Sequence, residues 1–515
     1  MTLGAQGMRV RTSGSVPKES RLVVVSNRGP IEHYFDDKGR IQRRLAGGGV
    51  ATALSSVADV LPFSWVASAH TPADRAIVDK GAAIRLGHGM TLRLVTSPSD
   101  SFDPFYNTFC NPLLWFVQHS LIRELEGRDR EAEAMYAWEQ GYLPVNKAIA
   151  EAVVQEIRKY GSCKGIMLHD YHFYAAPLFI RNLFPHVPLQ HFIHIPWPGI
   201  DVWQHLPRPI VDSIHEGLLA NDSIVFQTES SAQEFLLTCW AFVPEARIDF
   251  SEGTVTCRGR RTRVWANPIS VNPSVLRLRA LSPEGSWYLK RLQRETGERT
   301  IVRVDRMDPS KNILAGFEAF DLLLRQHPEL IGRAKFLAFL VPSRTAVAEY
   351  RDYSERVFRL IEEVNSRHGR PGWTPIKLFY EQNRVQALAA LSLYDVLLVN
   401  SLADGMNLVA KEGPAVNRRD GVLVLSVAAG AFEELHEGAI GVRPDDVADT
   451  ARALHEALSL SPGERRERAF RLRRALLRHD LNRWLYLQLE DLERIEDERS
   501  AQSESAERSW AHAVR

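Results

Sequence analysis

Residues 395–412 read DVLLVNSLADGMNLVAKE, an apolar run followed by a polar turn and the first residues of a helix. A continuous apolar run of this kind is typical of a strand covered on both faces of a parallel sheet. The turn holds a carboxylate (Asp404), a glycine that allows close backbone approach (Gly405) and an amide (Asn407). Because a helix that begins after a strand exposes unpaired N–H groups and a partial positive charge, this stretch predicts a site for sugar hydroxyls and phosphate. An ordinary capped helix after a buried strand would show the same pattern. The remaining segments of the chain distinguish this interpretation from a ligand site.

The same alternation of apolar runs and amphipathic segments extends over most of the chain. The predicted strands are residues 22–26, 65–68, 92–96, 165–168, 189–193, 223–227, 300–304, 335–341, 376–380, 395–400 and 422–426. Amphipathic helical segments lie between them, for example 312–323 and 447–458. Strands that alternate with helices predict an α/β fold with parallel sheets and right-handed crossovers.

The 515 residues are too many for one ordinary core, so we expect two domains. Two Asn-Pro pairs within residues 266–273 interrupt the pattern and predict a boundary there. The predicted units are a Rossmann-like domain over 21–266, ending in a polar turn-rich stretch at 251–263, and a second Rossmann-like domain over 267–479. Two doubly wound domains of this kind face each other across a cleft lined by the carboxyl ends of their strands.

The termini and the composition narrow the function classes. Residues 1–20 are polar and basic and lack the apolar segment of a secretory signal, so we expect a disordered leader; the Ser/Glu/Arg-rich residues 496–515 predict a mobile tail. The 64 basic and 63 acidic residues leave a net charge of +1, so no overall field favours nucleic acid or an acidic membrane. No apolar run reaches bilayer length. Four cysteines without a C-x-x-C pair are typical of a reducing compartment, and we expect the cytoplasm.

Polar residues follow the strands of the first half, where a cleft is expected. Arg28 ends the first strand and can make a bidentate contact with an anion, although a structural salt bridge would use the same residue. Glycines 47–49 can close on a phosphate at a helix start or can form a flexible loop. Asp170 and His194 are expected at adjacent strand ends, where both reach a sugar.

Histidines in this half occur in two pairs, 169/172 and 191/194. We expect no metal site, because zinc-binding pairs usually come with cysteine or a third nearby ligand. The alternation of side chains along a strand predicts that His191 and His194 point to opposite sides. His191 and His172 are better interpreted as core histidines with satisfied hydrogen bonds.

Cations mark the strand ends of the second half. Arg306 and Lys311 bracket the turn between a strand and a helix, where a planar guanidinium, a point charge and backbone dipoles together predict a diphosphate clamp. A capped helix with exposed cations is the alternative. Arg344 follows the next strand and is a further cleft arginine.

Three aromatic residues of the first half, Trp65, Tyr106 and Trp115, lie at or near turns. Aromatic faces stack on pyranose rings, although core packing is the commoner role of tryptophan. The sequence lacks G-x-S-x-G, Walker A, H-E-x-x-H and G-x-G-x-x-G motifs, which argues against hydrolase, ATPase and dehydrogenase activities.

Together these segments resemble the trehalose-6-phosphate synthase family, the retaining glycosyltransferases of family 20, and in particular its actinobacterial type. The resemblance covers residues 21–495 and is carried, in order, by segments 23–28, 169–172, 194–196, 308–311 and 404–412. It implies the GT-B architecture, in which two Rossmann-like domains face a central cleft and a last helix, here 480–495, crosses back to the first domain. The chain departs from the family pattern at Val50, Trp197 and Ala403, and some members of this type use GDP-glucose, so the donor base stays open.

The resemblance also implies roles for individual residues. The donor diphosphate would bind Arg306 and Lys311, and the donor glucose would contact His194 near the reacting carbon. The remaining donor contacts would be Gly48, Gly49, Asp404, Gly405, Met406, Asn407, Leu408 and, at the ribose, Glu412. The acceptor contacts would be Arg28, Trp65, Tyr106, Trp115, Asp170 and Arg344. The catalytic set would be Asp170, His194, Arg306 and Lys311, with no metal ion.

The implied reaction is a retaining transfer of glucose from GDP-, UDP- or ADP-glucose to glucose 6-phosphate, giving trehalose 6-phosphate. It requires no cofactor beyond the nucleotide sugar and no nucleic acid or membrane partner, and it leaves homo-oligomerisation open. The alternatives are a transferase of the same fold that acts on glycerol 3-phosphate or an amino-cyclitol phosphate, a sugar-nucleotide epimerase, and a non-catalytic sugar-phosphate sensor. The intact Arg306, Lys311, Asp404 and Glu412 argue against the sensor.

Overall fold

The computed structural model describes residues 21–45, 62–78, 84–87, 89–98, 100–125 and 130–513. The strands are β1 (Arg21–Ser26), β2 (Ile31–Phe35), β3 (Ile41–Leu45), β4 (Phe63–Ser68), β5 (Ile84–Gly87), β6 (Met90–Val95), β7 (Cys163–His169), β8 (Leu189–Phe192), β9 (Ser223–Phe226), β10 (Arg247–Asp249), β11 (Thr254–Cys257), β12 (Arg260–Ala266), β13 (Arg299–Arg306), β14 (Ala334–Val341), β15 (Ile376–Tyr380), β16 (Val396–Val399), β17 (Val422–Ser426) and β18 (Ile440–Val442).

The α-helices are α1 (Pro72–Val78), α2 (Trp115–Gln118), α3 (Arg130–Ala137), α4 (Leu143–Tyr160), α5 (Ala176–Leu183), α6 (Ile200–Trp203), α7 (Arg208–Leu218), α8 (Glu229–Phe242), α9 (Pro273–Ala280), α10 (Pro283–Leu292), α11 (Ile313–Gln326), α12 (Ala348–His368), α13 (Arg384–Leu391), α14 (Leu408–Val416), α15 (Ala431–Leu435), α16 (Val447–Ser459), α17 (Pro462–Arg478) and α18 (Leu481–Ala513). Shorter 3₁₀ turns are Ile122–Leu125, Tyr171–Phe173, Pro309–Lys311 and Pro328–Leu330, and π-helical segments are Pro104–Leu114 and Trp138–Tyr142. None of the described helices is both long and apolar enough to cross a bilayer.

Ten strands of the first half form one sheet in the order β10-β11-β12-β9-β8-β7-β1-β4-β6-β5. The strands from β12 to β6 pair in parallel, and only the two edges are antiparallel. Alternate residues of β1 enter different apolar clusters, Val23 and Val25 on one face and Leu22 and Val24 on the other. Burial on both faces is the reason that the central strands are continuous apolar runs.

Six parallel strands of the second half form a sheet in the order β15-β14-β13-β16-β17-β18. This is the usual order of a doubly wound fold, and the order reverses between β13 and β16. Ligands bind beyond the carboxyl ends of the strands at such a reversal. The residues that follow β13 and β16 are the ones from which the sequence predicted a diphosphate and sugar site.

The polar, turn-rich stretch 251–263 contains β11 and the first residues of β12. The two strands pair in an antiparallel hairpin with Cys257 opposite Arg260. Both turn residues have positive φ, +47° at Arg258 and +77° at Gly259. A two-residue turn of this type matches the twist of a hairpin, and its glycine is the signal that sequence reasoning missed.

The last helix, α18, returns from the second half to the ten-stranded sheet. Trp484 and Leu492 lie in the same apolar cluster as Leu22 of β1, and Gln190 of β8 donates to Asp491 over 2.8 Å. The helix extends to Ala513, so most of the segment 496–515 is helical, and its mobility stays a prediction. Ion pairs at helical spacing, of Arg494 with Glu498 and Asp491, stabilise the part of the helix that precedes this segment.

Candidate active site

The turn that follows β16 brings the second half into contact with the first. A Cβ atom at Gly405 would lie 1.9 Å from the carbonyl oxygen of His194, so no side chain fits between them. Asn407 has φ +72°, and its side chain accepts from the N–H of Ala410 at the start of α14. Glycine and asparagine are therefore required here by a close backbone approach and by a left-handed cap.

Lys311 and Asp404 form an ion pair across the point where the strand order reverses. Asp404 also accepts from Asn407 Nδ2 over 3.0 Å and from Ser401 Oγ over 3.3 Å. Burial acts to raise the pKa of Asp404, but the Lys311 ammonium outweighs it and leaves the pKa below its usual value. The Asp404 carboxylate therefore stays ionised at neutral pH beside the first turn of α14.

Asp308 is a fully buried carboxylate surrounded by cations. Its Oδ2 atom lies 2.9 Å from Arg344 and 3.8 Å from Arg306, and its Oδ1 atom accepts from the indole of Trp115 over 3.3 Å. Burial acts to raise the pKa of Asp308, but Arg344 and its other cationic neighbours outweigh it and lower the pKa to about 2. Asp308 thus holds these arginines together and stays ionised.

The Trp115 ring lies beneath both arginine guanidinium groups. The Cζ atom of Arg344 is 3.9 Å, and that of Arg306 is 5.3 Å, from the ring centroid. Such contacts attract cations to the aromatic face. Trp115 belongs to the first half and both arginines to the second, so this cluster spans the crevice. The Arg306 side chain remains 46% exposed and can reach a ligand.

Arg28 and Tyr106 form the opposite wall. Arg28 donates to the Tyr106 hydroxyl over 3.4 Å, and the Arg28 side chain is 52% exposed. Burial acts to raise the pKa of Tyr106, but Arg28 and Arg344 outweigh it and lower the pKa. Arg344 also donates to Tyr171 over 3.2 Å. Two arginines from different halves therefore act electrostatically on the Tyr106 phenol, which makes this region suited to an anion.

Asp170, at the end of β7, is held in an unusual backbone conformation with φ +72°. Its Oδ1 atom is buried and has no hydrogen-bond partner. Burial raises the pKa of Asp170 to about 6, against the backbone N–H groups of Tyr171 and His194. A buried oxygen without a partner is costly, and strained backbone is commonly found at functional sites. A ligand hydroxyl would satisfy it.

His194 lies two residues beyond the end of β8, and its orientation relative to His191 stays a prediction. Its Nε2 atom is 3.2 Å from His169 Nδ1, and its Nδ1 atom is 3.1 Å from Gln227 Nε2. Burial lowers the pKa of His194 to about 3, so the imidazole is neutral at physiological pH. His191 is fully buried and hydrogen-bonded to the carbonyl of Asp170 over 3.0 Å, a structural position.

Glu412 lies one turn into α14 and pairs with Arg384 over 3.1 Å. Burial raises the pKa of Glu412, and Arg384 opposes this shift. Met406 is buried, and its carbonyl accepts from the N–H of Ala431 over 2.8 Å. Leu408 is the first residue of α14, as the sequence pattern indicated.

Three predicted site residues are not among the crevice contacts described above. Trp65 is fully buried among apolar residues, and its indole donates to Ser26 over 2.7 Å, so any influence of Trp65 on a pocket would be indirect. The commoner role of tryptophan, core packing, explains the position. Gly48 and Gly49 lie outside the residues that the structure describes.

His119 is a site residue that sequence reasoning missed. Its ring stacks on Trp115 with centroids 4.0 Å apart, and burial lowers its pKa to about 4 against the pull of Asp308. The spacing of four residues in one helical run places the two rings together and was the available signal.

One group of three potential metal ligands occurs among the described residues: His327, Glu329 and His455. It lies at the opposite end of α11 from Lys311. The two imidazole rings are stacked with their centroids 3.6 Å apart, and their planes are nearly parallel, with an angle of 7° between them. A metal ion must lie close to the plane of each ring that binds it, so this arrangement does not fit a shared ion.

Comparison with known proteins identifies the family. The sequence model of glycosyltransferase family 20 matches residues 20–494. The chain belongs to glycosyltransferase family 20. It is therefore a glycosyltransferase, and the family resemblance noted from the sequence is confirmed.

Relatives with stated activities are similar over most of this chain. The bifunctional trehalose-6-phosphate synthase/phosphatase of Thermoproteus tenax is 33% identical over 90% of the chain, which spans 62% of that protein's length. The validamine 7-phosphate valienyltransferase of Streptomyces hygroscopicus subsp. jinggangensis is 29% identical over 96% of this chain and 99% of its own.

A solved structure has the same fold. The UDP-forming alpha,alpha-trehalose-phosphate synthase of Burkholderia xenovorans, in complex with glucose-6-phosphate, superposes with a TM-score of 0.78 at 26% identity. The match covers 92% of this chain and all of that one. The predicted GT-B architecture is thereby confirmed for this family 20 member.

Proposed function

We propose that this family 20 enzyme transfers glucose from a nucleoside-diphosphate glucose to glucose 6-phosphate, with retention, and forms trehalose 6-phosphate. The observation that supports it most is the cluster of Arg306, Lys311 and Arg344 at the crevice, with the unpartnered Oδ1 atom of Asp170 at the facing strand end. Cations on one side and an unsatisfied acceptor on the other suit a diphosphate and a sugar hydroxyl.

On the donor side, Arg306 and Lys311 would bind the diphosphate together with the N–H groups at the start of α14. Glu412, one turn further, would accept from ribose hydroxyls. The half-exposed guanidinium of Arg306 leaves room for such a contact. We propose that Gly48 and Gly49 close over the donor, as the family resemblance implies.

On the acceptor side, Arg28 and Arg344 would bind the phosphate, with Tyr106 and Trp115 beside it. The electrostatic effect of both arginines on Tyr106 supports this assignment. Asp170 would accept a hydrogen bond from the acceptor sugar. A charge-assisted bond to a buried carboxylate is about twice as strong as a neutral one.

Retention without a covalent intermediate is the mechanism that these contacts favour. Asp308 and Asp404 are committed to ion pairs, so neither is free to act as a nucleophile. The acceptor hydroxyl oxygen would bond to C1 of the glucose on the face from which the diphosphate leaves. The bond between C1 and the diphosphate oxygen would break, and the diphosphate would accept the hydroxyl proton. Arg306 and Lys311 would stabilise the charge that develops on the diphosphate, and domain closure would exclude water.

The test is a matrix of UDP-, GDP- and ADP-glucose against glucose 6-phosphate and glycerol 3-phosphate, with products identified by NMR. The proposal predicts an α,α-linked disaccharide phosphate with glucose 6-phosphate. A product with an inverted anomeric centre, or no product from any glucose donor, would contradict it. The same matrix identifies the donor base.

A second candidate is a transferase with another phosphorylated acceptor, favoured by the similarity to a valienyltransferase over nearly the whole of both chains. A product with glycerol 3-phosphate or an amino-cyclitol phosphate, but none with glucose 6-phosphate, would establish it. Conversion of the donor without any acceptor would indicate an epimerase, and binding without turnover would indicate a sensor. Independence from cofactors and a cytoplasmic location remain predictions.

A further inference from the structure

A chain of hydrogen bonds connects the linker between the two halves to the His194 imidazole. The N–H of Ile269, between β12 and α9, donates to Gln227 Oε1 over 2.9 Å. Gln227 Nε2 lies 3.1 Å from His194 Nδ1, and His194 Nε2 lies 3.2 Å from His169 Nδ1. Ile269, Gln227 and His169 are all buried, so water does not compete for these contacts.

The donor and the acceptor of each hydrogen bond follow from the first group in this chain, the backbone N–H of Ile269. A backbone N–H can only donate, so the oxygen of Gln227 is the acceptor and the amide nitrogen of Gln227 faces His194. That nitrogen can only donate, so His194 Nδ1 accepts. The neutral imidazole of His194 therefore carries its proton on Nε2.

We propose that Gln227 is a positioning residue that fixes His194 as the Nε2–H tautomer and so presents a hydrogen-bond donor to the reaction site. The identification of the acceptor of this N–H as an oxygen of the donor sugar rests on the proposed function. The assignment of the tautomer rests only on the hydrogen bonds given above. In the free enzyme His169 Nδ1 accepts the bond, and His169 Nε2 is buried without a partner.

The linker couples this arrangement to the donor helix. The carbonyl of Ile269 accepts from Lys411 Nζ over 2.8 Å, and Lys411 also pairs with Glu434. Lys411 precedes Glu412 on α14, the helix proposed to bind the donor. Both polar backbone groups of Ile269 are thus engaged, one towards His194 and one towards α14. A shift of the linker would loosen Gln227 and Lys411 together.

Gln227→Glu inverts the contact with His194. A carboxylate accepts from Ile269 but cannot donate, so His194 would place a proton on Nδ1, and the added negative charge would raise its pKa. The other titratable groups beside His194 are His169, His191 and Asp170, which the variant leaves in place. Gln227→Leu removes both hydrogen bonds at similar volume.

The direct measurement is ¹⁵N NMR of the full-length protein labelled at histidine, with the His194 signals assigned by their loss in His194→Asn. The expected result is a protonated Nε2 and an unprotonated Nδ1 in the wild type, and a protonated Nδ1 in Gln227→Glu. A wild-type His194 with its proton on Nδ1 would overturn the inference, whether or not any variant folds.

Kinetics supply the second measurement. Gln227→Leu should lower kcat by about 10- to 100-fold with a smaller change in the KM for the donor, as expected when an orienting partner is lost. Gln227→Glu should have a lowered kcat where His194 is neutral, because its Nε2 atom then lacks a proton. It should regain part of this kcat as the pH falls through the raised pKa of His194, because the imidazolium again carries a proton on Nε2. Gln155→Glu, the same change on the exposed face of α4, should leave kcat and its pH profile unchanged.

The proposed function and the positioning role of Gln227 are refuted by different results. If no donor and acceptor pair supports turnover, the proposed function fails while the NMR result still decides the tautomer. If turnover is found and Gln227→Glu keeps the wild-type tautomer and pH profile, the positioning role is wrong.

Discussion

At the scale of single residues, two buried carboxylates at the crevice have opposite electrostatic environments. Asp308 lies among cations, and its pKa falls to about 2. Asp170 has an unpartnered oxygen and no ion pair among the described contacts, and burial raises its pKa to about 6. Groups whose environments separate their pKa values in this way commonly have different roles. Asp308 is a permanent structural anion, whereas Asp170 can titrate in the working range.

Acceptor binding should weaken as the pH falls through about 6, because the Asp170 carboxylate is then protonated and loses its charge-assisted bond. The expected loss is up to about tenfold in affinity per pH unit, measured by calorimetry with glucose 6-phosphate. The acceptor phosphate titrates near the same pH. Asp170→Asn is the control, because it should bind more weakly and retain only the dependence due to the phosphate. Identical slopes in both proteins would contradict the assignment.

The lowered pKa of Asp308 predicts a pH-dependent contribution to stability. A shift from 3.8 to about 2 corresponds to roughly 2 kcal/mol of the free energy of unfolding. This contribution is present above pH 4 and is lost as the pH falls towards 2. Urea unfolding of Asp308→Asn and the wild type should therefore differ less at pH 2 than at pH 7, by that amount. The exposed Asp352→Asn should show no such trend, and a constant difference for Asp308→Asn would refute the prediction.

The charged site residues could be predicted because they follow buried strands, and parallel strands bring their carboxyl ends to one edge. Arg306, Lys311 and Asp404 meet for this reason. Trp65 could not be placed, since a tryptophan on a central strand can face either the core or a pocket. Gln227 was missed because its partners, His194 and Ile269, lie far away in the sequence. His119 was missed although its stacking partner Trp115 lies only four residues away.

At the scale of elements, the contact between the turn after β16 and the end of β8 sets the width of the crevice. Gly405→Ala would place a methyl group within 1.9 Å of the His194 carbonyl oxygen and push the two apart. Since a misplacement of about 1 Å can cost about 100-fold, turnover should fall to that extent. The measurement is kcat by nucleoside diphosphate release.

Gly463→Ala is the matched control for this substitution. A Cβ atom there would meet only the Ser461 hydroxyl oxygen at 3.9 Å. This variant should keep wild-type turnover. Equal activity of both variants would show that the turn after β16 does not define the site.

The positions of the buried strands could be predicted from apolar runs in the sequence. The β11–β12 hairpin and the end of α18 could not be predicted in this way. Strands β13, β14 and β17 are buried on both faces over most of their length, and the pattern predicted them within a few residues. The β11–β12 hairpin is polar on its exposed face, so its strands gave no apolar signal. The end of α18 lies in a Ser/Glu/Arg-rich segment, which composition alone suggested to be a mobile tail.

At the scale of the whole molecule, α18 joins the second half to the sheet of the first. Trp484 is 1% exposed and packs against Phe192 of β8, whereas Tyr486 on the same helix is 64% exposed. Trp484→Ala should lower the free energy of unfolding by about 3–5 kcal/mol, because a large cavity forms between the halves. Tyr486→Ala should change it by less than about 0.5 kcal/mol. Thermal unfolding compares the two, and equal Tm values would contradict this role of α18.

The central claim is that cations of the second half stabilise the diphosphate as it leaves. The most direct test is kcat of Arg306→Ala, measured at saturating donor and acceptor and compared with Arg325→Ala, an exposed arginine of α11 outside the site. We predict a loss of about 10²- to 10³-fold for Arg306→Ala, as for other transition-state charge partners, and no change for Arg325→Ala. A kcat of Arg306→Ala within about twofold of the wild type would contradict the account, since the error of such rates is far below the predicted loss.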